Sequence, residues 1–515
     1  MPAQLTTKAQ VNGYRFLLRR LEHALVRRDV RMLHDPMRAY SRSLMVGIIV
    51  TILLLGGCGV YGIIKPQGHV GDANILVSKD SGGMYVLIRG VLHPVLNLTS
   101  ARLIIGKDEK PTSVADSKMK GYPRGPLVGI PGAPVALPGT DQSGNATWAV
   151  CDTVDVQQSS GALSGALTTA VIASKPALGS SARVLASTDA VYATAGGKDY
   201  LLYQGKRAEV DPTNRIVADA LRISGDATGG APVSPRPVSD SLLNALAPAA
   251  PIAPPMIPDA GKKPALDGQG LHVGSVFTVQ SLDGKISYYV ALADGIQLVN
   301  QFVANIVRLA DTYGSAQVPA VSPNEIESVP VVDELPVDDF PAATPNLVAY
   351  ADDPVTCLAW SRGADDRDAT TTMLVGSALP LPVGQRPVDL STADGSGPGL
   401  DQAYIPPGSG RFVAVTGNQV DSTEAGALFY VSDSGVRYGI LDMDTAKAIG
   451  LGDQPERAPW SMISLLVPGP NLSQSEALMA YDGMAPMVNA GPVAPPGDPS
   501  TASDSSTPTT PGKPA

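Results

Sequence analysis

Residues Ser275–Asp311 read SVFTVQSLDGKISYYVALADGIQLVNQFVANIVRLAD. A short apolar run meets a turn at Gly284, and a second run is entered through Tyr288. β-Branched and aromatic residues on both sides of a glycine turn spell a hairpin. Leu298, Phe302, Asn305 and Leu309 then fall near one face of a helix. The unit read here is a hairpin plus a helix.

Three other stretches keep the same order: Ile75–Gly106 (ILVSKDSGGMYVLIRGVLHPVLNLTSARLIIG), Ala190–Ile223 (AVYATAGGKDYLLYQGKRAEVDPTNRIVADALRI) and Ala427–Leu451 (ALFYVSDSGVRYGILDMDTAKAIGL). Their turn glycines align as Gly83, Gly197 and Gly435 with Gly284, and their tyrosines as Tyr85, Tyr200 and Tyr438 with Tyr288. The tyrosines stand 115, 88 and 150 residues apart, which excludes a solenoid of fixed period. The surplus length falls mainly between repeats one and two and between repeats three and four. The economical architecture is four repeats around a central domain built from two insertions. The expected fold class is α+β: a single transmembrane helix and an elongated extracytoplasmic region of four hairpin-plus-helix repeats around a β-rich central domain.

The divisions are 1–42, a cytoplasmic amphipathic helix region; 43–64, the membrane helix; 72–110, repeat one; 111–180, central domain; 183–245, repeat two; 246–270, a Pro-rich linker; 271–315, repeat three; 316–410, central domain again; 411–485, repeat four and a C-terminal motif; and 490–515, a disordered tail. The linker contains APAAPIAPPMIPDAGKKPALDGQG, whose proline density makes an extended, semi-rigid connector. The tail, AGPVAPPGDPSTASDSSTPTTPGKPA, lacks the apolar residues to form a core.

Ser43–Ile64 runs 22 residues without a charge, about 33 Å as a helix, enough for a hydrocarbon core of about 30 Å. A signal peptide would begin near Met1 and end at a small-residue cleavage site; here 42 residues precede the span and no A-x-A follows it. Lys+Arg total 38 and Asp+Glu 48; residues 1–64 hold nine and three of them, leaving 29 against 45 beyond. The positive-inside rule therefore places residues 1–42 in the cytoplasm and 65–515 outside. So acidic a bulk argues against a nucleic-acid partner. Before the span, Tyr14, Leu17, Leu18, Leu21 and Leu25 form one apolar stripe on a helix over 8–34. It could dock on a partner or lie on anionic lipid.

Of three cysteines, Cys58 lies in the span, and Cys151 and Cys357 lie outside it. Two lone cysteines in an oxidising compartment most simply form a disulfide; the alternative is two unrelated buried thiols. Chemistry is hard to find. No G-x-x-x-x-G-K-[ST] loop is present: Gly197-Lys198 and Gly205-Lys206 sit at hairpin edges, and Gly395–Gly399 (GSGPG) reads as a loop. The five histidines make no zinc spacing, and His93 before Pro94 is structural. Asp338-Asp339 and Asp352-Asp353 read as solvated loop charges. No metal, cofactor or catalytic residue is expected.

Several longer motifs carry a resemblance: Leu5–Ser43, LHPVLNLTSARLIIG (Leu92–Gly106), YPRGPLVGIPGAP (Tyr122–Pro134), CDTV (Cys151–Val154), DPTNR (Asp211–Arg215), DPVTCLAW (Asp353–Trp360), SGVRYGI (Ser434–Ile440) and APWSMISLLVPGPNLSQSEAL (Ala458–Leu478). In these the chain resembles the EccB component of type VII (ESX) secretion systems of mycobacteria and related actinobacteria. The resemblance implies a single-pass inner-membrane subunit of a hexameric complex, with a large periplasmic part of four repeats similar to a phage lysin cell-wall-binding fold. It implies one disulfide in the central domain, here Cys151–Cys357. It implies EccC, EccD and EccE as partners, other EccB copies, and a nearby mycosin protease. Tyr481 stands where many members have His. The family is also labelled ATPase, so ATP enters by that label alone. Three readings follow: a structural secretion subunit, a peptidoglycan-binding anchor, and an ATPase.

Overall fold

The computed structural model describes residues 7–31, 36–64, 70–135, 137, 139, 144–156, 163–224, 232–267, 270–313, 318–394 and 399–483. Two compact units are distinguished, one of them Met1–Gly71 with Ser113–Met119. It contains the helix Lys8–Arg27, opened by a capping box between Thr7 and Gln10 and closed by Arg28 in the left-handed region. A second helix, Pro36–Ile64, carries an apolar stretch, Tyr40–Tyr61, long enough to cross a membrane. The tail 490–515 lies outside the described residues.

In the second unit each of the four stretches builds a three-stranded antiparallel meander followed by a helix. The first pairs Ile75–Ser78 with Met84–Ile88 and the latter with Val91–Pro94, then enters the helix Leu98–Ile105. The second runs Asp189–Ala195, Lys198–Tyr203, Lys206–Val210 and the helix Arg215–Leu221. The third runs Val276–Gln280, Ile286–Ala291, Ile296–Val299 and the helix Gln301–Ala310. The fourth runs Gly410–Thr416, Leu428–Ser432, Val436–Ile440 and the helix Met443–Ile449. The motif is thus one strand longer than the hairpin read from sequence.

One local signal starts all four helices. Asn97, Asn214, Asn300 and Asp442 leave the third strand in extended conformation, and each side chain accepts an N–H from the first helical turn. The tight turns into the third strand at Arg89-Gly90 and Gln204-Gly205 hold positive φ at both central residues, the twist a two-residue hairpin needs.

Three expectations are corrected. Tyr438 lies on the third strand of its sheet; the residue on the second strand, where Tyr85, Tyr200 and Tyr288 sit, is Tyr430. In the first stretch the positive φ belongs to Gly82, not Gly83. Leu298 is in a strand and half exposed, and the buried face of the third helix is Phe302, Val303, Ile306 and Val307.

Return segments after the helices extend these sheets in parallel. Arg236–Pro237 joins Asp189–Ala195, Ala320–Val321 joins Val276–Gln280, and Glu456–Pro459 joins Gly410–Thr416. The start of the Pro-rich stretch is docked: Ala247–Pro248 pairs with Lys206-Arg207, and Ile252 bridges to Val210. Cores then pair the sheets. The first and fourth share one built on Ala101, Leu103, Ala446 and Ile449; the second and third share one built on Val217, Leu221, Phe302 and Ile306. Between them stands a seven-stranded sheet whose middle strands are Ala146–Val156 and Val355–Arg362.

Candidate functional site

Cys151 and Cys357 lie directly opposite on the two middle strands, buried and joined at 2.06 Å across 206 residues of sequence. Trp148 and Trp360 oppose each other three residues along the ladder, on the other face. The short helices Asp240–Ala245 and Trp460–Ile463 contribute Leu242, Leu243, Met462 and Ile463 to that face's core.

Buried polar groups fix these helices to the sheet. Asp152, beside Cys151, accepts the Ser239 backbone N–H at 2.6 Å and the Ser239 and Thr169 hydroxyls at 2.9 Å each. Ser239 in turn caps the helix Asp240–Ala245. Arg236 donates to Thr356 Oγ1 at 2.6 Å, Asp353 O at 2.8 Å and Val348 O at 3.1 Å. On the fourth stretch's side, Trp148 Nε1 donates to Glu456 at 3.2 Å, and Arg411 holds Glu456 at 3.3 Å and donates to Ala173 O at 2.7 Å. All of these groups span 80 or more residues of sequence except Asp152–Thr169 and Arg411–Glu456. A buried charge that loses its partners is costly, so this network holds the central sheet against its neighbours in one arrangement.

Burial raises the Asp152 carboxyl from its ordinary 3.8 to about 6, and the nearby Asp401 charge adds to the rise against the three hydrogen bonds. The folded value exceeds the unfolded one, so this group's stabilising contribution is full below about pH 4 and is lost as pH rises through 6. Denaturant midpoints at pH 5 and pH 7.5 check this. The stability of the native chain relative to Asp152→Asn should fall by about 1 kcal/mol at the higher pH. A pH-independent difference would contradict it.

The predicted docking residues are on an exposed face. Tyr14, Leu17, Leu18, Leu21 and Leu25 all stand out from the helix Lys8–Arg27, Leu25 by 73%. They share the unit with the membrane-length helix, apart from the disulfide.

Possible catalytic groups resolve differently. Lys198 pairs with Glu209 at 2.9 Å and Lys206 with Asp339 at 2.5 Å, so the lysines of these two Gly-Lys pairs are engaged by carboxylates. Asp353 pairs with Arg183 at 2.8 Å; it and Asp339 are therefore ion-pair partners rather than freely solvated loop charges. Gly395–Pro398 lie outside the described residues. His93 Nδ1 bonds Pro126 O at 3.1 Å, a structural role.

Sequence reading missed one array: Ser275 Oγ is 2.9 Å from His272 Nδ1, and His272 Nε2 is 2.9 Å from Asp311 Oδ1. Ser275 is buried, its hydroxyl accepts the His272 N–H, and its own N–H is spent on His272 O. The array closes a turn onto the end of the third helix rather than presenting a nucleophile. Among the described residues, no group of three or more His, Cys, Asp or Glu could hold a metal ion.

The family model for the type VII secretion system ESX-1 transport TM domain B, EccB, matches residues 3–486. The ESX-3 secretion system ATPase EccB3 of Mycobacterium tuberculosis is 36% identical over 495 residues, covering 93% of this chain and 90% of that protein. The ESX-1 secretion system ATPase EccB1 of the same organism is 37% identical over 485 residues, covering 94% and 96%. Among solved structures, a chain of an intact ESX-5 inner membrane complex in a composite C3 model superposes with a TM-score of 0.72 at 32% identity, covering 96% of this chain and 99% of that one. A chain of an EccB3 dimer from the ESX-3 core complex gives 0.69 at 35%, covering 79% and 100%. Motifs, fold and membrane-length helix agree with these likenesses, and the chain belongs to the EccB family of type VII (ESX) secretion systems.

Proposed function

We propose that this chain is a structural core subunit of an inner-membrane type VII secretion complex, its exterior domains assembling above the pore to support protein export. The observation that carries the reading is its likeness, at 34% identity and a TM-score of 0.69, to a chain of the periplasmic assembly from the ESX-5 inner membrane complex. The disulfide and the buried polar ties suit the role, because a frame must keep its faces in fixed relation. In this reading the arginine-rich N-terminus is cytoplasmic and the bulk of the chain periplasmic. In the same reading the four meander-plus-helix stretches are repeats arranged around the disulfide-stapled sheet. EccC, EccD and EccE, further EccB copies in a hexameric complex and a mycosin protease are its partners, and no cofactor is required.

The relatives' names carry the word ATPase, which supports a second reading. Against it stand the missing phosphate loop and the carboxylates that engage Lys198 and Lys206. Full-length protein in detergent with Mg-ATP should release no phosphate above the buffer rate. Turnover that saturates with ATP would establish the second reading.

A further inference from the structure

The helices Arg215–Leu221 and Gln301–Ala310 pack together where the second and third stretches meet, and a cavity of about 250 Å³ opens beside them. Arg222, Arg308, Gln301, Asn305, Tyr288 and Thr344 supply its polar lining, and among the described residues none that lines it is acidic. That is unusual ground in a chain whose residues beyond 64 carry 45 carboxylates against 29 cations. Both arginines are exposed, and neither forms an ion pair among the described residues. Arg308 donates to Asn305 Oδ1 at 3.3 Å, which commits that carbonyl and leaves the Asn305 amide N–H groups for a ligand. Gln301 opens its helix, where free backbone N–H groups add positive potential.

Arg222 is placed there at a cost. It ends its helix in the left-handed region at φ 57°. The corresponding helix ends after Leu98–Ile105 and Met443–Ile449 use Gly106 and Gly450, the residue type that adopts this conformation without strain. Here the strained conformation is retained with a guanidinium that lines the cavity and has no carboxylate partner among the described residues.

We propose that this cavity binds a small phosphorylated ligand of about one sugar's size. Two guanidiniums with amide and hydroxyl donors supply more N–H and O–H groups than one planar carboxylate can use, and they match the three oxygens and double charge of a phosphate monoester. Gln301, Thr344 and Tyr288 can also accept from sugar hydroxyls. The lining residues are distinct from the disulfide and its buried polar network.

The test is calorimetric titration of the full-length protein in detergent with glucose 6-phosphate, glucose and glucuronate, repeated on Arg222→Gly and Arg308→Gln. Saturable binding of glucose 6-phosphate is expected, with glucose and glucuronate at least about tenfold weaker and each variant weakened about tenfold or more. Arg222→Gly should melt at a higher temperature than the native chain while binding worse, since glycine relieves the backbone and removes the guanidinium. A purely structural Arg222 would leave affinity unmoved. Absence of saturable glucose 6-phosphate binding, native affinity retained in either variant, or glucuronate bound as tightly would overturn the proposal.

Discussion

Replacing Cys151 and Cys357 together by Ala should destabilise the exterior by about 2–5 kcal/mol. The bond closes 206 residues, so its removal frees a long loop in the unfolded chain. Two of the chain's three tryptophans, Trp148 and Trp360, flank the bond on the same strands, so their fluorescence follows the central sheet. Denaturant midpoints followed by fluorescence supply the measurement. The variant's midpoint should fall well below the native one, and adding reductant should lower the native midpoint and leave the variant unmoved. Equal midpoints would mean that the buried hydrogen bonds of Asp152, Arg236 and Glu456 hold the sheet without the bridge.

The second large effect concerns the N-terminal helix. Leu17, Leu18 and Leu21 are exposed on a helix whose other residues are largely polar or basic. Changing all three to Asp places three charges on that face without disturbing a core. The altered chain should remain in the membrane through Tyr40–Tyr61 and cease to co-purify with its complex. A partner surface loses its apolar contact and gains buried charge, each such charge costing several kcal/mol unless paired. Undiminished co-purification would show that this stripe is not the docking surface.

Much of this architecture was legible in the residues, for identifiable reasons. The membrane helix announces itself by length and lack of charge. The Cys151–Cys357 pair follows from scarcity, since no other cysteine competes outside the span. Helix starts were written locally, in the Asn or Asp that immediately precedes each helix. The alignment of the fourth stretch failed because residues 417–427 separate its first two strands, so the tight hairpin at Gly435 was matched with the wrong turn. The return strands escaped notice because several pair over only two residues and contain proline, leaving no periodicity to read. The ties of Asp152 to Ser239 and of Trp148 to Glu456 join residues 87 and 308 apart, which no local pattern encodes. The cavity at Arg222 and Arg308 is equally non-local, though an arginine where sister helices end in glycine was a signal available in the sequence.

The central claim is that this chain serves as a structural part of a membrane-embedded secretion complex. The most direct measurement is native-gel migration of an affinity-tagged full-length chain, solubilised from actinobacterial membranes in mild detergent, with the band's subunits identified by mass. The account predicts one high-mass band containing several copies of the chain together with the other membrane subunits of the system. Migration as a single chain in its detergent micelle, with no companion subunits, would contradict it.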